Sequence, residues 1–150
     1  MQSTLVIIKP DAVQRGLSGR IIQRFEDKGL FIIGAKLMKI PAELAGKHYS
    51  DHAGKPFYDG LVKFMTSSPV WVLAVRGERA IEVVRTLMGT TDGCEAAPGT
   101  IRGDFGSSKG FNLVHGSDSE GAASKELGLF FADGELFDAT PDRIKWVIED

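Results

Sequence analysis

The stretch Asn112-Leu113-Val114-His115-Gly116-Ser117-Asp118 holds the tightest cluster of chemically capable side chains in the sequence. His115 closes the short apolar run Phe111 to Val114, which reads as a buried strand, and Gly116 relieves the backbone just after it. Ser117 with Glu120 three residues later makes a capping-box pattern, so a helix is expected to start at Ser117 with unpaired N–H groups near His115. A helix start favours anions. An imidazole is substantially neutral at physiological pH and nucleophilic, so His115 is read as a nucleophile that can carry a phosphoryl group there. The competing reading is a structural histidine at a strand end. A serine-hydrolase reading of His115, Ser117 and Asp118 is set aside, because residues so close in sequence hardly build a linear triad and no GxSxG elbow is present.

The chain has neither a GxxxxGK[ST] loop nor a strand-linked GxGxxG, so phosphate binding would have to use side chains. Lys9, Arg85 and Arg102 are the cations that could converge on such a site. Lys9 follows the apolar run Leu5 to Ile8, and Arg85 falls in the last turns of a helix, where a cation also complements the dipole without any further role. From Thr90 to Lys109 little periodicity is visible, and this long loop with Thr91 and Arg102 reads as phosphate-facing. His48, Tyr49, His52, Phe57 and Tyr58 concentrate aromatic groups that serve either packing or one wall of a pocket. His48 and His52 stand four apart, but without an HExxH pattern or a cysteine ligand a zinc site is rejected.

The elements that must position these groups follow from periodicity. Leu5 to Ile8 has the continuous apolar pattern of a central strand, stopped by Pro10. A helix with Ser18 as its cap carries Ile21, Ile22 and Phe25 and ends at Gly29; Leu30 to Ile40 reads as a strand with a bulge at Gly34. Ala42 to Tyr49 and Leu61 to Met65 suggest a helical hairpin, Val70 to Val75 a buried strand, and Glu78 to Met88 an amphipathic helix ending at Gly89. The tail Asp142 to Asp150 carries Ile144, Trp146 and Ile148 and is expected to pack on its own domain or on a neighbouring subunit. This order gives an α+β, ferredoxin-like split βαβ sandwich with a helical-hairpin insertion and a C-terminal extension.

The 150 residues suit one domain, 1–150, with enough chain to bury a core unaided. A net charge of −2 argues against a dedicated nucleic-acid binder, and aliphatic central strands argue against the RNA-binding use of this fold. The single cysteine, Cys94, cannot form an internal disulfide, which points to a reducing, cytoplasmic setting; no apolar run approaches membrane-spanning length and no signal peptide is recognisable.

Lys9-Pro10-Asp11, the segment Pro98-Gly99-Thr100-Ile101-Arg102-Gly103-Asp104-Phe105 and the NxxHGSD stretch occur together, in order and at matching spacings. In these respects the chain resembles the nucleoside diphosphate kinases over nearly its whole length. The resemblance implies a four-stranded antiparallel sheet covered by helices, and ping-pong transfer of the γ-phosphoryl group of a nucleoside triphosphate, typically ATP, to a diphosphate through phosphorylated His115. It further implies that Arg85, Thr91 and Arg102 surround the phosphates, with His52 as another contact, that Lys9 and Asn112 hold the sugar, and that Phe57 and Leu61 receive the base. Tyr49 would sit near the imidazole, and Ser117 with Glu126 would orient it. For Glu126 to reach His115, the following helix must run back beside the strand, which the resemblance alone supports. Mg²⁺ is expected on the nucleotide phosphates with no metal ligands from the chain, and a homo-oligomer is expected, a hexamer rather than a tetramer. The chain departs from the family at Gly93, where many members carry proline, so a more flexible phosphate loop is expected.

Overall fold

A computed structural model describes residues 1–138 and 140–149; the end of the expected tail, Asp150, lies outside them. β1 (Gln2–Ile8) is the organising strand, with β3 (Val70–Gly77) on one side and β4 (Val114–Gly116) on the other, while β2 (Phe31–Met38) extends the sheet beyond β3. All three pairings are antiparallel. Side chains alternate along a strand. Leu5 and Ile7 therefore enter one core and Val6 and Ile8 the other, all fully buried, which is why this run is apolar without a break.

The Val6 and Ile8 face is covered by α2 (Ser18–Asp27) and α5 (Ala80–Met88), through Ile21, Phe25, Val84 and Met88. On the Leu5 and Ile7 face lie the hairpin α3 (Ala42–His48) and α4 (Tyr58–Met65), together with α7 (Glu120–Phe130). Burying each large apolar side chain contributes about 1.5–3 kcal/mol, so the two cores hold the layers together. The expected ferredoxin-like sandwich with its inserted hairpin is the observed fold. No helix among the described residues is long and apolar enough to cross a membrane.

Several local expectations are corrected. Ser18 is the first helical residue of α2, and Leu17 occupies the cap position without a side-chain cap bond. Pro10 both ends β1 and opens the short helix α1 (Pro10–Gln14), where its missing N–H costs nothing. The supposed loop from Thr90 to Lys109 contains α6 (Ile101–Phe105), capped by the Thr100 hydroxyl, which accepts from the Gly103 amide. The strand expected over Phe111 to Val114 is Val114–Gly116 instead, because Leu113 adopts φ 75, a conformation that cannot continue a ladder. Gly116 relieves no backbone angle. A Cβ there would lie 2.6 Å from Met88 Sδ, so glycine lets α5 approach the strand. Gly93, expected to loosen its loop, is buried against the backbone of Gly106.

β2 carries the expected irregularity. Its register against β3 shifts between Ile32 and Gly34, so Ile33 is the extra residue, and its carbonyl accepts from the Phe137 amide at 2.7 Å. That bond, the packing of Ile144 on the core and the approach of Val147 to Gly29 dock the C-terminal segment on its own domain. A Cβ on Gly34 would meet Leu136 Cδ2 at 2.7 Å and the Glu135 carbonyl at 3.1 Å. Gly34→Ala is accordingly expected to lower the free energy of unfolding by about 1–3 kcal/mol in urea. A loss below about 0.5 kcal/mol, the ordinary range for surface changes, would mean that the docked segment yields freely.

Candidate active site

Strand parity decides which way His115 faces. It pairs with Ile7, whose side chain enters the core under α3, α4 and α7, while its neighbour Val114 packs in the opposite core. α7 packs back along β1, as the reach of Glu126 requires. Its start is Glu120 rather than Ser117: Ser119 is the cap, accepting from the Ala122 amide at 3.1 Å. Ser117 is fully buried and its hydroxyl accepts from the Leu5 amide at 3.3 Å, so it braces β4 against β1. His115 Nε2 hydrogen-bonds Glu126 Oε1, and Glu126 is only 8% exposed.

The last residue of α3, His48, lies edge-on to His115 with ring centroids 4.9 Å apart. Its side chain is 3% exposed and sits 3.9 Å from Glu126 Oε1. Burial first, then the charge of His115, pushes the His48 imidazole down to about 4, against the opposing pull of Glu126. Tyr49, beside it, has its phenol held above the usual range by burial and then by Glu126. Sequence reasoning placed His48 in an aromatic cluster and in a rejected zinc pairing with His52, not beside His115. The available signal was helical spacing, since His48 follows Leu44 by four and the buried Ala45 by three.

The expected residues fall around two neighbouring openings. One, of about 560 Å³, is lined by His115, Glu126, Tyr49, His52 and Arg85, with Lys125. The second, a largely apolar groove of about 880 Å³, holds Lys9, Phe57, Leu61, Thr91 and Asn112, with Phe111. Phe57 is 52% exposed at the groove, with Lys55 Nζ 5.9 Å from its ring centroid, and Phe64 packs edge-on to Phe111 at 5.3 Å. Phe64, Phe111 and Lys109 were missed as groove residues: Phe64 sits on α4 among core-packing residues, and Phe111 and Lys109 lie in an irregular segment with no periodicity to mark them. A third groove of about 830 Å³ beside Arg85 carries Glu82, Asp118 and Glu120, carboxylates that disfavour an anion.

Arg102 lines neither opening. Its guanidinium is buried and donates to the carbonyls of Asn112, Gly89 and Val114 at 3.1, 3.1 and 2.8 Å. Burial and then the nearby charge of Arg85 lower it to about 10. Arg85 donates to the Gly116 carbonyl at 3.0 Å, next to the histidine. Lys9 Nζ donates to Asn112 Oδ1 at 2.7 Å, and burial, followed by Arg102, brings it down to about 8. Asn112 in turn donates to the Thr91 carbonyl at 3.4 Å, which ties the loop to the groove. The arrangement joins a nucleophile paired with a carboxylate, a cationic rim and an aromatic-lined groove.

Comparison with known proteins is decisive at this point, because residues 2–136 match the family model described as nucleoside diphosphate kinase. The chain belongs to the nucleoside diphosphate kinase family. It is 52% identical over 149 residues to the nucleoside diphosphate kinase of Staphylococcus epidermidis, covering 99% of this chain and 100% of that one. With the Halobacterium salinarum enzyme it shares 54% over 151 residues, covering 99% and 94%. A solved structure of the halophilic kinase from Halobacterium salinarum, in complex with CDP, superposes with a TM-score of 0.97 at 53% identity, covering 99% of each chain. A Babesia bovis family structure gives 0.96 at 41%, covering 99% and 100%. Membership makes the chain a phosphotransferase that works on nucleotides.

Two bases depressed by burial set a pH dependence of folding. The unfolded chain protonates His48 at its ordinary value of 6.5 and the folded chain only near 4, so stability falls as pH drops through that window. Lys9 keeps its proton to 10.5 when unfolded but only to about 8 when folded, so stability rises with pH between those values. Each effect is worth on the order of 3 kcal/mol. Urea unfolding should show a shallower acid slope in His48→Gln than in the wild type, and a shallower alkaline slope in Lys9→Met. Equal slopes for variant and wild type would show that the group is not desolvated by folding.

Proposed function

We propose that residues 1–150 work as one nucleoside diphosphate kinase domain in which His115 alternately takes and gives up a phosphoryl group. The observation that carries this reading is the pairing of His115 Nε2 with buried Glu126, at the mouth of a cavity that also holds Arg85. A ring that donates from Nε2 keeps its lone pair on Nδ1. Nδ1 attacks the γ-phosphorus, the Nδ1–P bond forms as the bond from phosphorus to the β,γ-bridging oxygen breaks, and the diphosphate leaves. Positive charge that develops on the ring is met by the Glu126 carboxylate. In the second half-reaction a β-phosphate oxygen of the acceptor attacks the phosphohistidine, and the ring leaves. One site serves both halves, which gives ping-pong kinetics.

Arg85 and Thr91 contact the transferring phosphates in this reading, with His52 as a further contact. Arg102 acts at closer range on the protein than on the substrate: three of its five N–H donors already hold backbone carbonyls. It adds charge to the site and fixes the frame. Lys9 and Asn112, already bonded to each other, take the sugar hydroxyls. Phe57 stacks on the base and Leu61 closes the slot. Tyr49 packs beside the His48 and His115 pair, and Ser117 orients the histidine through the strand it braces. Binding of CDP by the Halobacterium salinarum protein supports a nucleotide in these openings.

Mg²⁺ carried by the nucleotide would supply charge neutralisation at the phosphate oxygens, with no direct ligand from the chain. Asp51 and Asp118 on the cavity wall are the hard oxygen donors that would meet its waters. The protein is further read as a cytoplasmic homo-oligomer, a hexamer in preference to a tetramer. The exposed Trp146, Phe137 and Val147 support a subunit contact, and a monomer in sedimentation would contradict it.

Wild-type protein mixed with γ-labelled MgATP and no acceptor should become labelled on His115. The label should be acid-labile and discharged by any nucleoside diphosphate. His115→Asn should bind nucleotide and stay unlabelled; labelling of that variant, or none in the wild type, would leave a nucleotide-binding module as the better reading. Base discrimination should be weak, since an aromatic face accepts any base, and deoxynucleotides should serve. Phe57→Ala should raise KM for purine and pyrimidine acceptors alike, by a factor corresponding to about 1–3 kcal/mol. Loss confined to one base would exclude stacking as the common recognition element.

A further inference from the structure

His48, His115 and Glu126 present one ligand atom each, all within 4.8 Å of one another. Two imidazoles and a carboxylate with room for a water are the donor set of a three-ligand zinc site. We propose that these three side chains form a binding site for a divalent ion of the zinc class, and that the ion silences the nucleophile. The second, independent observation is His48 itself. Its side chain is 3% exposed, and neither ring nitrogen has a hydrogen-bond partner among the described residues, although Glu126 Oε1 lies 3.9 Å from Nδ1. A buried imidazole is normally hydrogen-bonded, so two idle ring nitrogens, one of them 3.9 Å from a carboxylate oxygen, call for a partner.

The geometry needs little adjustment. Zinc bonds of roughly 2.0–2.1 Å in tetrahedral array set donor atoms about 3.4 Å apart, so the His115–Glu126 hydrogen bond would open to admit the ion while His48 closes toward it, both within reach of side-chain rotations. His115 and Glu126 are hydrogen-bonded to each other, and the His48 ring lies edge-on to His115 with centroids 4.9 Å apart. The cavity of about 560 Å³ beside them leaves the remaining position open to water. His48 and His52, though four residues apart, do not make the site. His52 contributes no ligand atom to this group, and its ring stacks on Tyr49 at 6.3 Å.

Silencing follows from proton bookkeeping on one ring and rests on the kinase reading above. A neutral imidazole that gives its Nε2 lone pair to a metal carries its proton on Nδ1, so Nδ1 has no lone pair with which to attack phosphorus. The ion also takes the Glu126 oxygen that would meet charge developing on the ring. Metal binding by itself needs no nucleotide, and the experiment separates the two claims.

Cobalt(II) added to nucleotide-free wild-type protein should give the intense visible bands of a site with four or five ligands, saturating at one equivalent and bleached by one equivalent of zinc. Glu126→Gln and His48→Gln should each weaken cobalt binding about tenfold or more, and His52→Gln should leave it unchanged. Should either ligand variant fail to fold, imidazole nitrogen resonances of the wild type replace it, since the chain has three histidines. Zinc should then shift His48 and His115 and leave His52 in place. Pale six-coordinate cobalt, or binding lost only in His52→Gln, would overturn the site. Phosphorylation of His115 by γ-labelled MgATP should slow as zinc saturates the site and recover with a chelator. Full-rate labelling of the zinc-loaded protein would overturn silencing, whereas metal binding without labelling of the metal-free protein would overturn the kinase reading alone.

Discussion

The Arg102 guanidinium holds together the part of the chain that has least regular structure. Between the end of α5 and the start of β4, the backbone turns through short α6 and irregular segments and still has to deliver Thr91 and Asn112 to the groove edge. Three N–H groups of one planar fork reach Gly89, Asn112 and Val114, at both ends of that excursion. Without the fork, those carbonyls would lose partners in a buried setting, at about 1–3 kcal/mol for each left unsatisfied. A lysine carries a single ammonium and cannot span the three directions. α6 is what places the fork. Its capping hydroxyl on Thr100 and the absence of a side chain at Gly103, where a Cβ would lie 1.9 Å from the Ala97 carbonyl, seat Ile101 in the core and Arg102 against the strand.

This anchor adds to an electrostatic load. Lys9 and Arg102 are both lowered by burial and by a neighbouring cation, Arg102 acting on Lys9 and Arg85 acting on Arg102. The net charge of the chain is −2, so the positive potential is local rather than general. In the kinase reading proposed above, a polyphosphate bound beside Arg85 relieves the repulsion. Ligand that binds only the folded form stabilises it by mass action, and relief of stored repulsion deepens that coupling. On that reading, clustered side-chain cations take the place of a glycine-rich nucleotide loop.

Most of the framework could be read from periodicity, because burial imposes it. The unbroken run Leu5 to Ile8 and the spacing of Val84, Leu87 and Met88 each answer to a core on a known face. Failures cluster where tertiary contacts override local preference. Phe111 to Val114 looks like a strand, yet Leu113 is buried at φ 75 and Phe111 is 59% exposed toward the groove, so apolar character there serves two different ends. Ser117 and Glu120 satisfy the spacing of a capping box, but β1 claims the Ser117 hydroxyl and the cap passes to Ser119. Within the site, His115, Arg85, Lys9 and Asn112 were marked by residue type and resemblance. His48 was not, since a histidine on a buried helical face is usually core, and its proximity to His115 depends on how the inserted hairpin packs.

The displaced cap has a consequence for the chemistry. With α7 starting at Glu120, Ala123, Glu126 and Phe130 form its buried stripe, at the three- and four-residue spacing of one helical face. A carboxylate in the middle of an apolar stripe is expensive unless something compensates it, because burying an unpaired charge costs several kcal/mol. Its hydrogen-bond donor is the imidazole of His115, delivered from the neighbouring strand by the parity that places Val114 in the opposite core. The same burial that makes Glu126 costly fixes the orientation of the ring, so the demand for a satisfied core and the demand for one tautomer of the nucleophile are met by one contact. Replacing Glu126 by an apolar residue would ease the packing and leave the histidine free to choose either tautomer.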